Sequence, residues 1–141
     1  MNGGNVTVSV DARQTSSDGQ VSRIKIKSLG MKKELNGRTF LFFTETDEEG
    51  VKTRWNVKYN PQGAQISRDG PVSSSLIFHE NEHCRSTYIT PYGSFLVDID
   101  TRRFNLSENG SRSSIEILYR LALEGEQTAE CRVEINICSG T

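Results

Sequence analysis

The stretch STYITPYGSFLVDID, residues 86–100, decides the fold class of this chain. Apolar and polar residues alternate on both sides of its central corner, TPYG at 90–93. A period of two places apolar side chains on one face of a strand and polar side chains on the other. Proline at the second position and glycine at the fourth favour a type I turn. The stretch therefore predicts two strands joined by a sharp turn.

The same alternation recurs along the rest of the chain. Its apolar positions include Val6, Val8, Val10, Ile24, Ile26, Trp55, Val57, Tyr59, Ile115, Ile117, Tyr119, Leu121, Val133, Ile135 and Ile137. Hairpin signals such as Asn36-Gly37 and Asn109-Gly110 separate the runs, because both residue types tolerate positive φ. The best helix candidate, MKKELN at 31–36, is short and lies between two glycines.

Strands joined in order by short turns predict an up-and-down sheet of roughly nine to eleven strands. An open sheet of that size would expose its edges, so closure into a barrel is favoured. A chain of 141 residues is typical of one domain. We therefore expect residues 1–141 to form a single all-β domain, an antiparallel up-and-down β-barrel.

The composition of the chain disfavours some classes of binding partner and some cellular locations. The chain has 17 Lys and Arg against 18 Asp and Glu, and this balance makes nucleic acid an unlikely partner. No apolar run is long enough for a membrane span, and no secretory leader is evident, so we expect no membrane partner and a cytoplasmic location. The three cysteines are expected to be free thiols, with Cys131 in the buried register of its strand and Cys138 in the opposite one. Composition gives no oligomeric state.

The segment His79-Glu80-Asn81-Glu82-His83 matches the pattern of zinc proteases. That chemistry needs a helix, because residues four apart then share one face and both imidazoles reach one metal. The flanking residues have strand-like composition, so we interpret the segment as a solvated hairpin tip. No Ser or Cys has a credible base partner elsewhere, since the chain has only these two histidines. We expect neither an enzyme nor a metal or other cofactor.

Two sets of residues remain as candidates for binding. Arg102, Arg103 and Arg112 surround Phe104 and could bind single-stranded nucleic acid by charge and stacking, or could form an ordinary outward strand face. The second set could line a barrel mouth, with Arg68 as the group that fixes an anion, or could simply belong to the core. It comprises Arg68, Tyr88, Tyr92, Trp55 and Tyr119.

Three stretches resemble the YwiB-like family of bacterial proteins in order and spacing. They are ISRDGPVSSSLIF, STYITPYGSFLVDIDT and SSIEILYRLAL, and the most specific pieces are Arg68-Asp69-Gly70, Tyr88-x-Thr90-Pro91-Tyr92-Gly93 and Thr101. The resemblance implies a small calycin-type barrel, related in fold to lipocalins, in a bacterial cytoplasm. It implies no accepted activity for the family.

The leading hypothesis is a non-enzymatic domain that binds a small amphipathic or anionic ligand at one barrel mouth. By parity Tyr88 faces the interior if Ile89 points outward, and Tyr92 is then expected to project over the same opening. The alternative is a protein- or RNA-interaction module that uses its outer face and has a barrel filled with side chains.

Overall fold

The computed structural model describes residues 2–139, which form ten strands. Their bounds are β1 Asn2–Ser16, β2 Val21–Leu35, β3 Arg38–Thr46, β4 Lys52–Asn60, β5 Gly63–Asp69, β6 Ser73–His79, β7 His83–Thr90, β8 Gly93–Asn109, β9 Arg112–Leu123 and β10 Gln127–Ser139. The segment 31–35, the best helix candidate of the sequence, lies in β2 and is extended. The part of the chain that the structure describes contains no helix that could span a membrane.

Each strand pairs antiparallel with the next one along the chain, and β1 pairs with β10 to close the barrel. The predicted all-β, up-and-down antiparallel barrel is therefore confirmed. It has ten strands, whereas lipocalin barrels have eight. Because the strands alternate in direction, the loops after β1, β3, β5, β7 and β9 lie together at one end, called the upper end here. Both termini of the described chain lie at the lower end.

Local turn chemistry sets the hairpins. Asn36 and Gly37 both have positive φ, 53° and 79°, as a two-residue hairpin loop requires. At the upper end Pro91 and Tyr92 form the two-residue connection between β7 and β8. The Tyr92 N–H donates to Oγ1 of Thr90 at 3.1 Å, which fixes the start of that turn. The quoted stretch is thus a hairpin corner, as its sequence predicts.

Pairing around the barrel is uneven. Strand β2 pairs with β3 through only six residues of each strand, from Gly30–Phe43 to Leu35–Arg38. Strand β6 pairs with β7 only at Ser73 and Ser74, near the upper end. These two short seams join a four-stranded segment, β3 to β6, to the six other strands. Between the seams the two parts of the wall contact each other mainly through inward side chains.

The core follows the period of two that the sequence contains. The largest side chains with almost no exposed surface are Tyr59, Phe78, Leu41, Ile99, Ile115, Ile117, Ile135, Ile137, Val8, Val10, Val57 and Val97. Removing one such aliphatic or aromatic side chain from water contributes roughly 1.5–3 kcal/mol to stability. Their concentration on β8, β9, β10 and β1 makes that side of the barrel its best-packed part.

The HENEH segment is a hairpin and not a helix, which confirms the sequence interpretation. His79 ends β6, His83 begins β7, and Asn81 between them has a positive φ of 64°. The Asn81 N–H donates to the carbonyl of Thr101 at 2.8 Å, so the tip is held against β8. Among residues 2–139, no group of three or more His, Cys, Asp or Glu side chains is placed to hold a metal ion.

Replacing His79 and His83 together with alanine is expected to change the free energy of unfolding by less than about 0.5 kcal/mol. His83 contacts Asp98 at 3.3 Å, but its side chain is half exposed and Arg85 contacts the same carboxylate at 3.0 Å. Urea denaturation of the two proteins gives the comparison. Stoichiometric zinc in wild-type protein purified without chelators, and its loss from the double variant, would contradict the hairpin interpretation.

The last strand makes a second prediction, about thiol reactivity. Cys131 is buried and Cys138 is exposed, as the parity of β10 predicts. Burial also raises the pKa of the Cys131 thiol to about 11, so little thiolate forms at neutral pH. We expect iodoacetamide to modify Cys138 at least ten times faster than Cys131, measured for each cysteine by peptide mass spectrometry. Equal rates would mean that the native barrel opens readily at β10.

Tyr59 makes a third prediction, about alkaline stability. Burial, together with the charge of Glu108, raises the pKa of this phenol to about 12, against about 10 in an unfolded chain. The stabilisation is therefore complete below about pH 10 and is lost as pH rises toward 12.

We expect the free energy of unfolding to fall more steeply between about pH 10 and 12 in the wild type than in Tyr59→Phe. Urea denaturation followed by tryptophan fluorescence measures both slopes. The other buried phenols and Cys131 titrate in both proteins, so the difference isolates Tyr59. Parallel curves would show that its hydroxyl ionises as freely in the folded state as in the unfolded one.

Candidate ligand site inside the barrel

A cavity of about 110 Å³ lies inside the upper part of the barrel, between the four-stranded segment and the opposite wall. Its apolar walls come from Ile24, Ile66, Leu76, Phe78 and Val133. Its polar and aromatic groups come from Trp55, Arg68, Tyr88, Tyr119 and Cys131, with Arg13, Gln14, Ser22 and Ser74 beside them. The barrel is therefore not filled completely by its own side chains.

Arg68 is a charged side chain on the inner face of the barrel. It follows Ala64 and Ile66 in the inward register of β5, and both of those residues are buried. Its guanidinium carbon lies 4.7 Å from the centroid of the Trp55 ring, which is cation–π geometry. Trp55 in turn stacks on Phe43, with ring centroids 5.3 Å apart. One face of the guanidinium is thus covered by an aromatic stack.

Glu45 completes this cluster from β3. Its carboxylate accepts a hydrogen bond from Nε1 of Trp55 at 3.0 Å and lies 3.7 Å from Nη2 of Arg68. The ion pair is partly solvated, since 34% of the Arg68 side chain and 22% of the Glu45 side chain are exposed. Such a pair is worth about 1 kcal/mol or less, so it orients Arg68 without saturating it.

One N–H donor of the Arg68 side chain makes no hydrogen bond within the described part of the chain. Its Nε is fully buried and has no hydrogen-bond partner among the described residues. A buried donor without a partner costs about 1–3 kcal/mol, so native proteins usually satisfy such groups with protein, water or ligand atoms. Arg68 also lines the cavity, so its side chain brings a positive charge beside a small internal space.

Two phenols line the same cavity. Burial raises the pKa of Tyr88, although the positive charge of Arg68 acts in the opposite direction. Burial also raises the pKa of Tyr119 well above its ordinary value, and its ring packs 4.7 Å from that of Phe78. Both hydroxyls therefore stay neutral at physiological pH and can donate hydrogen bonds to an acceptor in the cavity.

Four of the five residues singled out in the sequence line this cavity together: Trp55, Arg68, Tyr88 and Tyr119. The expected orientation of Tyr88 is confirmed, because Ile89 is exposed on the outer face. The expected position of Tyr92 is wrong. Its side chain is 93% exposed, since the two-residue turn that holds it directs it into solvent instead of over the opening.

The basic cluster around Phe104 also differs from its expected form. The β8–β9 pairing shifts register between Thr101 and Arg103, which turns Phe104 inward to only 8% exposure. Its ring is part of the core and is not available for stacking on a base. Arg103 lies 3.9 Å from Glu116 on the neighbouring strand. The cluster is an outward strand face with a buried aromatic beneath it.

Glu45 is the site residue that the sequence reading missed. It continues the inward register of Leu41 and Phe43 in β3, so parity alone places a carboxylate inside the barrel. A larger open groove of about 800 Å³ also lies across β2 to β5, where the exposed Leu29, Met31 and Phe42 contribute to its walls. Trp55 and Arg68 line both spaces. We prefer the inner cavity as the candidate site because it is more enclosed and also has Tyr88 and Tyr119 in its walls.

Known proteins provide an independent comparison. A structural comparison finds the crystal structure of the YwiB protein from Bacillus subtilis, with a TM-score of 0.83, 19% sequence identity and coverage of 99% of this chain and 94% of that chain. At this identity the match concerns the fold. A comparison with curated proteins finds no match. Residues 8–135 match a family described as a domain of unknown function, DUF1934, and the chain therefore belongs to the DUF1934 family.

Proposed function

We propose that this protein is a non-catalytic binding protein for a small anionic molecule, which occupies the cavity beside Arg68. The observation that carries the proposal is the Arg68 side chain, which lines a space of about 110 Å³ and whose buried Nε lacks a partner among the described residues. An ionised ligand oxygen would satisfy this donor with a charge-assisted hydrogen bond. Such bonds are shorter and stronger than bonds between neutral groups.

The surrounding groups support an anion more than a cation or a neutral polar ligand. The phenols of Tyr88 and Tyr119 are neutral and can donate, and Arg68 supplies only donors. Glu45 is not among the described residues that line the cavity, and its carboxylate accepts a hydrogen bond from Trp55. A ligand at Arg68 therefore meets donors before it meets the carboxylate.

Catalysis has little support from the same residues. Cys131, which borders the cavity, is a poor nucleophile because burial raises its pKa to about 11. The two histidines lie at the β6–β7 hairpin of the lower end, away from the cavity. The alternative of an RNA-binding outer face is weakened because Phe104, the ring expected to stack on bases, is buried.

Trp55 allows a direct test, because it is the only tryptophan of the chain and contacts Arg68. We expect its fluorescence to change saturably on titration with at least one of acetate, butyrate, succinate and phosphate. Arg68→Met should weaken that binding by about 10- to 100-fold, as expected for loss of a charge-assisted hydrogen bond.

The matched control is Arg54→Met. Arg54 lies on the outer face of β4, next to Trp55 in sequence, and pairs with Asp69 at 2.6 Å. Its loss removes the same charge from the protein without touching the cavity, so binding should stay within about twofold of wild type. No saturable signal with any of the four anions, or equal losses in the two variants, would contradict the proposed function.

A further inference from the structure

We infer that the ligand is a short-chain aliphatic monocarboxylate with about three to five carbon atoms, whose carboxylate binds Arg68 and whose alkyl chain fills the cavity. This inference rests on the proposed function and adds the class of ligand. Four features support it: the volume of the cavity, the charge available at Arg68, the shape of the surroundings of the guanidinium, and the composition of the cavity walls.

Volume excludes most common anionic metabolites. Pockets for drug-sized ligands are about 300–1,000 Å³, whereas an engineered apolar cavity of about 150 Å³ accommodates benzene. The present cavity measures about 110 Å³. A nucleotide, a sugar phosphate or a long-chain fatty acid would not fit inside it, but a chain of a few methylene groups with one carboxylate would.

Charge favours a monoanion. Glu45 lies 3.7 Å from Nη2 of Arg68 and already offsets part of the guanidinium charge. A dianion such as phosphate or succinate would place two negative charges near this carboxylate. The second arginine that lines the cavity, Arg13, is exposed, so solvent screens its charge. A monoanion would leave the three groups with a net charge of about −1, most of it at the solvated Glu45.

Shape at the guanidinium also favours a carboxylate. The Trp55 ring lies over one face of Arg68, and Glu45 lies near Nη2. The Nε edge is the part of the guanidinium that remains without a partner among the described residues. A planar carboxylate can approach in the plane of that edge, and the hydroxyls of Tyr88 or Tyr119 would supply further donors across the cavity.

The remaining walls suit an alkyl chain. Ile66, Leu76 and Phe78 from the four-stranded segment face Ile24 and Val133 across the cavity. Burying each methylene group between such walls is worth about 0.8 kcal/mol, a factor of about four in affinity. A hydrophilic anion such as formate or sulfate would gain nothing from these walls.

The test is a homologous series titrated into the wild-type protein with Trp55 fluorescence and calorimetry as readouts. Affinity should rise about fourfold per methylene group from acetate to butyrate or valerate, and octanoate should bind at least tenfold more weakly than the best member. Butyramide, which has the size of butyrate without its charge, should bind at least tenfold more weakly than butyrate. Phosphate and succinate should also bind more weakly than butyrate.

Two variants test the charge argument. Glu45→Gln keeps an acceptor for Trp55 Nε1 but removes the negative charge beside Arg68. It should tighten butyrate binding several-fold and phosphate binding by a larger factor. Arg68→Lys keeps the charge but loses the planar donor edge, so butyrate should bind several-fold more weakly. The order of affinities within the carboxylate series should stay the same. Arg54→Met again serves as the control.

The possible outcomes separate this inference from the proposed function. If phosphate or succinate binds more tightly than every monocarboxylate and depends on Arg68, the proposed function stands and the monocarboxylate assignment is wrong. Affinity that keeps rising through octanoate would also overturn the assignment, because the chain would then leave the cavity. If no anion binds, both fail. Peak affinity at three to five carbons with dependence on Arg68 supports both.

Discussion

The pairing of β1 with both β10 and β2 is the constraint on which this barrel depends. β1 aligns with β10 through eleven residues and with β2 through fourteen, so the first and last strands are joined along most of their length. The seams at β2–β3 and β6–β7 are far shorter. Closure therefore relies on contacts between residues more than a hundred positions apart. The chain entropy that is lost when these distant residues are brought together must be offset by burial of the apolar faces of both strands.

The uneven pairing also explains where the cavity lies. In the upper part of the barrel, β3 has no backbone pairing with β2, because their ladder begins only at Gly30 and Phe43. In that region the inward positions include Arg68, Glu45 and Ser74, none of which packs as densely as isoleucine or valine. On the opposite side of the barrel, Ile115 and Ile117 have no exposed surface. The candidate site thus lies on the less densely packed side of the barrel.

An inward charge pair is a costly feature in a small barrel, and its neighbours limit that cost. Trp55 covers the Arg68 guanidinium and donates to Glu45, so a single aromatic side chain stabilises both charges. Partial exposure of both groups keeps the desolvation penalty below that of a fully buried pair. Three buried side-chain atoms have no hydrogen-bond partner among the described residues: the Tyr59 hydroxyl, Oγ1 of Thr101 and Nε of Arg68. Of these three residues, only Arg68 lines the cavity. Packing alone does not require a charged side chain with an unpaired donor inside a barrel, so such a side chain indicates a binding site.

The sequence by itself determined the strands, most turns and the inward register. Alternation placed Val133 and Ile135 inside with Cys131, and Asn36-Gly37 specified a hairpin, because both signals depend on neighbours in the chain. Parity likewise placed Tyr88 on the inner face. Only the tertiary structure decided the direction of Tyr92 and the inward turn of Phe104, since these depend on turn geometry and on a register shift between β8 and β9. It alone decided that Glu45, Trp55 and Arg68 meet beside an unfilled space, because closure of the sheet sets the distances between inward residues on different strands.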